Sequence, residues 1–121
     1  MPIVQLHLNS RLSRAKCQAC LHEIAQLVAA TLDKPLCDAM VLAHFSQAWL
    51  DGSAAPLAFI DFRVISGLTL ENSRALCQGM AVILRRYIAI ASERIYVNFC
   101  ETEPAYAWRF VAGQAVCPIA R

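Results

Sequence analysis

The residues best suited to chemistry stand at the amino terminus. The chain opens MPIVQLHL, and removal of Met1 leaves Pro2 with a free secondary amine. An α-amino group titrates at about 7.7–8.0, against about 10.4 for a lysine. Apolar surroundings disfavour the ammonium and lower that value further. A nitrogen that is uncharged near neutrality can take a proton from a carbon next to a carbonyl. With Met1 attached, the same nitrogen is an amide and has no basicity. The plainer reading is structural, because a proline at the first residue of a strand gives up no ladder hydrogen bond.

Other side chains offer partial chemistry. Lys34 falls at a helix end, where a cation is favoured by the dipole; it is either a solvated cap or a contact for an anion. Tyr96 and Asn98 are two residues apart on a strand and so share a face. Arg63, beside Val64, is either a carboxylate clamp or a solvated strand charge. Trp108 and Phe110 supply either an apolar rim or ordinary packing. Cys17-Gln18-Ala19-Cys20 is a CxxC followed by His22. A redox dithiol at a helix start is conceivable, but both cysteines lie on the apolar stripe of that helix, which suits buried structural thiols. No second ligand pair completes a zinc site, and His7, His22 and His44 show no metal-binding spacing. No metal site is expected.

Composition narrows the class. The chain has 121 residues, of which 58% are hydrophobic and 17% charged, so one compact domain over 1–121 with a large core is expected. The formal charge of +2 is too small and too scattered for nucleic acid. The richest apolar run, Ala75 to Ala91, is broken by Arg85 and Arg86, so no membrane span is expected. The amino terminus lacks the cationic and apolar regions of a signal peptide. The expected compartment is therefore the cytoplasm, with all six cysteines reduced.

The elements that must position these residues come as a repeat. Arg14-Ala15-Lys16-Cys17-Gln18-Ala19 is echoed by Arg74-Ala75-Leu76-Cys77-Gln78-Gly79, sixty positions later. Strands over Ile3–Leu8 and Leu57–Ile65 precede the two helices, and strands over Ala39–Phe45 and Arg94–Cys100 follow them. The apolar spacing from Cys17 to Leu32 marks the first helix, with Ser13 as N-cap and Lys34-Pro35 at its end. The second begins near Thr69 and is expected to bury Ala75, Leu76, Met80, Ile83, Leu84 and Tyr87. Each helix makes a crossover between parallel strands. The fold class is α+β: a tandem β-α-β repeat forming a four-stranded mixed sheet with both helices on one face. The bare face then needs another subunit's sheet to cover it. Residues 103–121 are expected to form short strands or loop.

Four stretches carry a resemblance to a known family. They are the opening MPIVQL, Thr31-Leu32-Asp33-Lys34-Pro35, Ser92-Glu93-Arg94-Ile95-Tyr96-Val97-Asn98-Phe99, and Ala105-Tyr106-Ala107-Trp108. In this order, from Pro2 to about Trp108, the chain resembles the macrophage migration inhibitory factor family of the tautomerase superfamily. The resemblance implies a homotrimer with a central barrel and active sites at subunit interfaces. It implies cofactor-free keto–enol tautomerisation of small aromatic α-keto acids such as phenylpyruvate, with Pro2 as general base. It implies that Lys34 binds the substrate carboxylate, that the backbone amide of Val64 (or Ile65) touches substrate, that Asn98 donates a hydrogen bond, and that Tyr96 closes in from a neighbouring subunit. It also implies two alternatives: a cytokine-like protein with a receptor partner, released without a signal peptide, or a hydratase or dehalogenase of unsaturated acids. Three departures stand out. Arg63 stands where the family usually has a small polar residue. Asp38 replaces a family tyrosine near the pocket, and the family's own CxxC is absent from Pro56-Leu57-Ala58-Phe59.

Overall fold

The computed structural model describes residues 1–118; the expected tail beyond, 119–121, lies outside the described residues. Strand β1 (Ile3–Leu8) leads into helix α1 (Arg14–Leu32), strand β2 (Met40–Phe45) and strand β3 (Ala58–Val64). Helix α2 (Leu70–Tyr87), strand β4 (Ile95–Glu101) and a hairpin of β5 (Arg109–Val111) and β6 (Gln114–Val116) complete the order. The sheet runs β2-β1-β3-β4, with β1 parallel to β2, β3 parallel to β4, and β1 antiparallel to β3. The repeat is thus two parallel β-α-β units joined at their first strands.

Local sequence chemistry sets the boundaries. Ser13 Oγ accepts from Lys16 N–H at 3.2 Å and starts α1. Thr69 and Asn72 cap α2 reciprocally, at 3.0 and 2.8 Å. Asp33 takes the left-handed conformation at φ 52°, and Lys34 N–H returns to Ala29 O at 2.9 Å. That cap ends α1 and turns Lys34 away from the helix axis.

Alternation divides the sheet. Val4, Leu6 and Leu8 of β1 are buried with Ala58, Ile60, Phe62 and Val64 of β3. Cys20, Ile24 and Val28 of α1 cover them, together with Leu76, Met80, Ile83 and Leu84 of α2. Ala75 was expected on this buried side and is exposed instead, because α2 turns its Leu76–Met80–Ile83 stripe to the sheet. The helices meet at Gly79, where an added Cβ would come within 2.7 Å of Leu27 Cδ2.

The opposite face carries no helix. Strand pairing arranges it in rows: His44–His7–Phe59–Tyr96, then Leu42–Gln5–Asp61–Asn98, then Met40–Ile3–Arg63–Cys100. His7 stacks on His44 at 5.0 Å and on Phe59 at 5.5 Å. Residues 46–57, between β2 and β3, contain little regular structure and are held by two side chains. Asn9 bonds Ala54 O, Ala55 O and Leu57 N–H. Arg94 donates to four carbonyls, those of Leu50, Ser53, Ala55 and Pro56, at 2.8–3.1 Å. No helix among the described residues is long and apolar enough to cross a membrane.

Candidate active site at the amino terminus

The amino terminus sits where β1 starts, between its two parallel and antiparallel neighbours. The Pro2 ring is fully buried, and its carbonyl accepts from Met40 N–H at 3.0 Å. Met1 extends from this anchored point and is half-buried. A cavity of about 620 Å³ adjoins it, lined also by Lys34, Asp38, Ile65, Arg109 and Cys117. Its far wall is apolar, from Ala107, Val111 and Val116. Two smaller cavities, of about 530 and 220 Å³, touch Met1 from its other sides and are lined by Trp108. Met1 therefore stands at the junction of all three.

Each wall has its own origin in the chain. Lys34 arrives from the left-handed end of α1. Asp38 comes from the short 3₁₀ turn Leu36–Asp38 that follows. Arg109 is the first residue of β5, and its Nη1 donates to Asp38 Oδ1 at 3.1 Å. Trp108 is half exposed and is steadied by its indole N–H donating to Ala105 O at 3.1 Å.

This setting weakens the base at the chain's start. The Met1 amine is held below its ordinary value of 8.0, first by loss of water, then by the positive charges of Lys34 and Arg109, with Asp38 opposing.

The structure gathers Lys34, Trp108 and the Val64–Ile65 segment around Met1, with Pro2 buried directly behind it. Val64 has a buried side chain, 1% exposed, and lines the smallest cavity, whereas Ile65 lines that one and the 620 Å³ cavity. Arg63 reaches the smallest cavity but bonds Asp61, with Nε at 3.4 Å and Nη2 at 3.3 Å. Tyr96 and Asn98 are not brought to the site within one chain. They lie exposed on the bare face, and Asn98 shares its row with Gln5, three residues or about 10 Å along the strand from Pro2. Arg109 and Cys117 belong to the site although their residue types and spacing gave no sign of it. A larger cavity of about 880 Å³, near Arg11 and Trp49, lies at the opposite ends of β1 and β2 and holds none of the residues expected at the site. No group of three or more potential metal ligands occurs among the described residues. Cys20 of the CxxC is buried and its thiol is pushed up to about 11 by loss of water, which suits packing rather than redox exchange.

A family model for macrophage migration inhibitory factor matches residues 1–110. Among solved structures, the chain is similar to a macrophage migration inhibitory factor-like protein from Entamoeba histolytica, at 23% identity and TM-score 0.84, covering 91% of this chain and 95% of that one. It is equally similar to macrophage migration inhibitory factor of Toxoplasma gondii, at 23% identity and TM-score 0.84, covering 94% and 99%. A third structure is that of Pt0534 inactivated by 2-oxo-3-pentynoate, at 20% identity and TM-score 0.79, covering 92% of each chain. No curated protein matches the chain.

Proposed function

This chain belongs to the macrophage migration inhibitory factor family, and from that premise we propose that it is a cofactor-independent keto–enol tautomerase acting on phenylpyruvate-like α-keto acids. One observation carries the reading: the amino terminus opens into a cavity of about 620 Å³ beside Lys34, with its amine held below 8.0. Once Met1 is removed, the Pro2 nitrogen takes a proton from the carbon next to the keto group. The electron pair of that C–H bond forms the C=C bond, and the carbonyl oxygen becomes an enolate. The protonated proline then returns its proton to that oxygen, giving the enol and a free amine. Lys34 holds the substrate carboxylate by a charge-assisted bond. The apolar wall of Val111, Val116 and Ile65 receives the aromatic end.

A single chain lacks Tyr96 and Asn98 at this site, and its sheet has a bare face. Both needs are met by a homotrimer in which sheets enclose a barrel and a neighbouring copy brings these residues to the cavity. The whole chain then works as one domain. Arg63, tied to Asp61, acts as a charge at the rim.

The test uses protein whose Met1 is shown by intact mass to be absent. Enolisation of phenylpyruvate is followed by ultraviolet absorbance. The same protein is treated with 2-oxo-3-pentynoate, whose conjugated alkyne accepts a nucleophilic amine. Turnover, with one adduct located on Pro2, supports the reading. No turnover and no adduct on Pro2 would sink it. Hydration or dehalogenation of an unsaturated acid is a second reading, favoured by the placement of Asp38 and Arg109 in the same cavity. A panel of 3-haloacrylates separates the two.

A further inference from the structure

Asp38 and Arg109 lie 71 residues apart in sequence, yet the fold joins them in an ion pair at 3.1 Å on the wall of the cavity that holds the amino terminus. Both side chains remain partly accessible, so the pair is not a buried structural lock. Its contact is single: one Nη1–H to one Oδ1. A lone Asp38 carboxylate here would stabilise the ammonium form of the terminal amine and make it a poorer base at neutral pH. A lone Arg109 would push the other way. Held together, the two fields oppose each other at the amine, where Lys34 is the largest of the charge effects.

We propose that Arg109 is a positioning residue whose task, shared with Asp38, is to set the basicity of the Pro2 nitrogen by screening the carboxylate that the chain places beside it. This rests on the tautomerase reading of the same cavity. Other titratable groups around the terminus come from every neighbouring element. Lys34 follows α1, and Cys37 lies in the turn that holds Asp38. Arg63 of β3 is satisfied by Asp61. Tyr106 precedes β5, and Cys117 follows β6. Among the described residues lining these cavities, Asp38 is the single carboxylate, which is why its screening matters.

The Met1 amine is already lowered by Lys34 and Arg109 and raised by Asp38, in agreement with the geometry. The pair thus has a signature that a merely structural contact lacks: its two halves act with opposite sign. The experiment is an NMR titration of protein lacking Met1 and labelled with ¹⁵N-proline, read at Pro2. Four variants are compared with the natural sequence: Asp38→Asn, Arg109→Gln, Arg109→Lys and the Asp38→Asn/Arg109→Gln double. Asp38→Asn is expected to lower the Pro2 pKa and Arg109→Gln to raise it, each by roughly one pH unit. The double variant and Arg109→Lys should return close to the starting value. Single variants that shift the value in the same direction, or neither of which shifts it, would overturn the proposal. The titration needs no turnover. Opposite shifts in a protein that fails to enolise phenylpyruvate would uphold the pair's role while removing the tautomerase reading.

Discussion

The carbonyl of Pro2 accepts a hydrogen bond from the Met40 backbone N–H at 3.0 Å, fixing the proposed base to the β1–β2 ladder. The ring is buried below this bond, so the nitrogen cannot swing. Pro2→Gly keeps a terminal amine but loses the ring and its rigidity. We expect kcat/KM for phenylpyruvate to fall by about 10²-fold or more, the usual weight of a positioned general base. Circular dichroism of the variant should stay close to that of the natural chain. Rates near the natural level would remove Pro2 from the mechanism.

The pH profile has a defined sign. The base must be unprotonated, and the terminal amine at this position, that of Met1, is depressed below 8.0; the Pro2 amine is expected to follow the same direction once Met1 is removed. Activity is therefore expected to rise with pH through a single ionisation below 8.0 and to level off above it. Lys34→Ala removes one of the depressing charges, so that ionisation should move to higher pH. A rate that falls as pH rises through this range would assign the nitrogen the opposite role, that of an acid.

Lys34 also has a binding task. Losing one charge-assisted hydrogen bond of about 1.5–3 kcal/mol should raise KM by roughly 10–150-fold, with kcat less affected. Asn98 is expected to reach the same cavity from another copy. A preparation of Lys34→Ala chains mixed with Asn98→Ala chains and reassembled should regain activity, with about one site in four intact on random assembly. No recovery would place both residues on one chain's site, and Asn98→Ala chains fully active on their own would place Asn98 outside it.

Helix packing gives a stability prediction. A Cβ on Gly79 would stand 2.7 and 2.9 Å from the two methyls of Leu27. Those methyls can rotate away, and alanine gains about 1 kcal/mol of helix propensity over glycine, so Gly79→Ala should be nearly neutral. Gly79→Val crowds the contact beyond that adjustment and should cost about 1–3 kcal/mol in urea unfolding.

Cys20 gives a second one. Its thiol is pushed from 9.0 up to about 11 by burial, so the folded state prefers the neutral form. Stability from this preference is complete below 9.0. It is lost as pH rises from there to about 11, because the unfolded thiol ionises first. Cys20→Ala should therefore show a smaller drop in urea midpoint between these limits than the natural chain.

Most of the fold could be read from local pattern. The period of two in Val4, Leu6 and Leu8, the helical stripes, and the echo of Arg14–Ala19 in Arg74–Gly79 dictate elements and order. The first strand has the expected bounds, Ile3–Leu8, while the edges of the other three moved by a residue, as at Ile95 rather than Arg94, since pairing rather than composition ends a strand. Ala75 was misplaced because a small apolar residue beside the stripe carries too little area to decide its side. Pro2, Lys34 and Trp108 were legible through short stretches that place them at element ends. Arg109 was not: its meaning depends on Asp38, and no local rule links two residues that far apart. Val64 and Ile65 both reach the cavities around Met1, so the strand's end narrows the backbone amide contact to this pair without choosing between them.

The grip of Arg94 on the carbonyls of Leu50, Ser53, Ala55 and Pro56 has a further consequence. The guanidinium stands at the threshold of β4, while its four partners lie in the segment that leads into β3. One side chain therefore ties the shape of that connection to the pairing of β4 alongside β3.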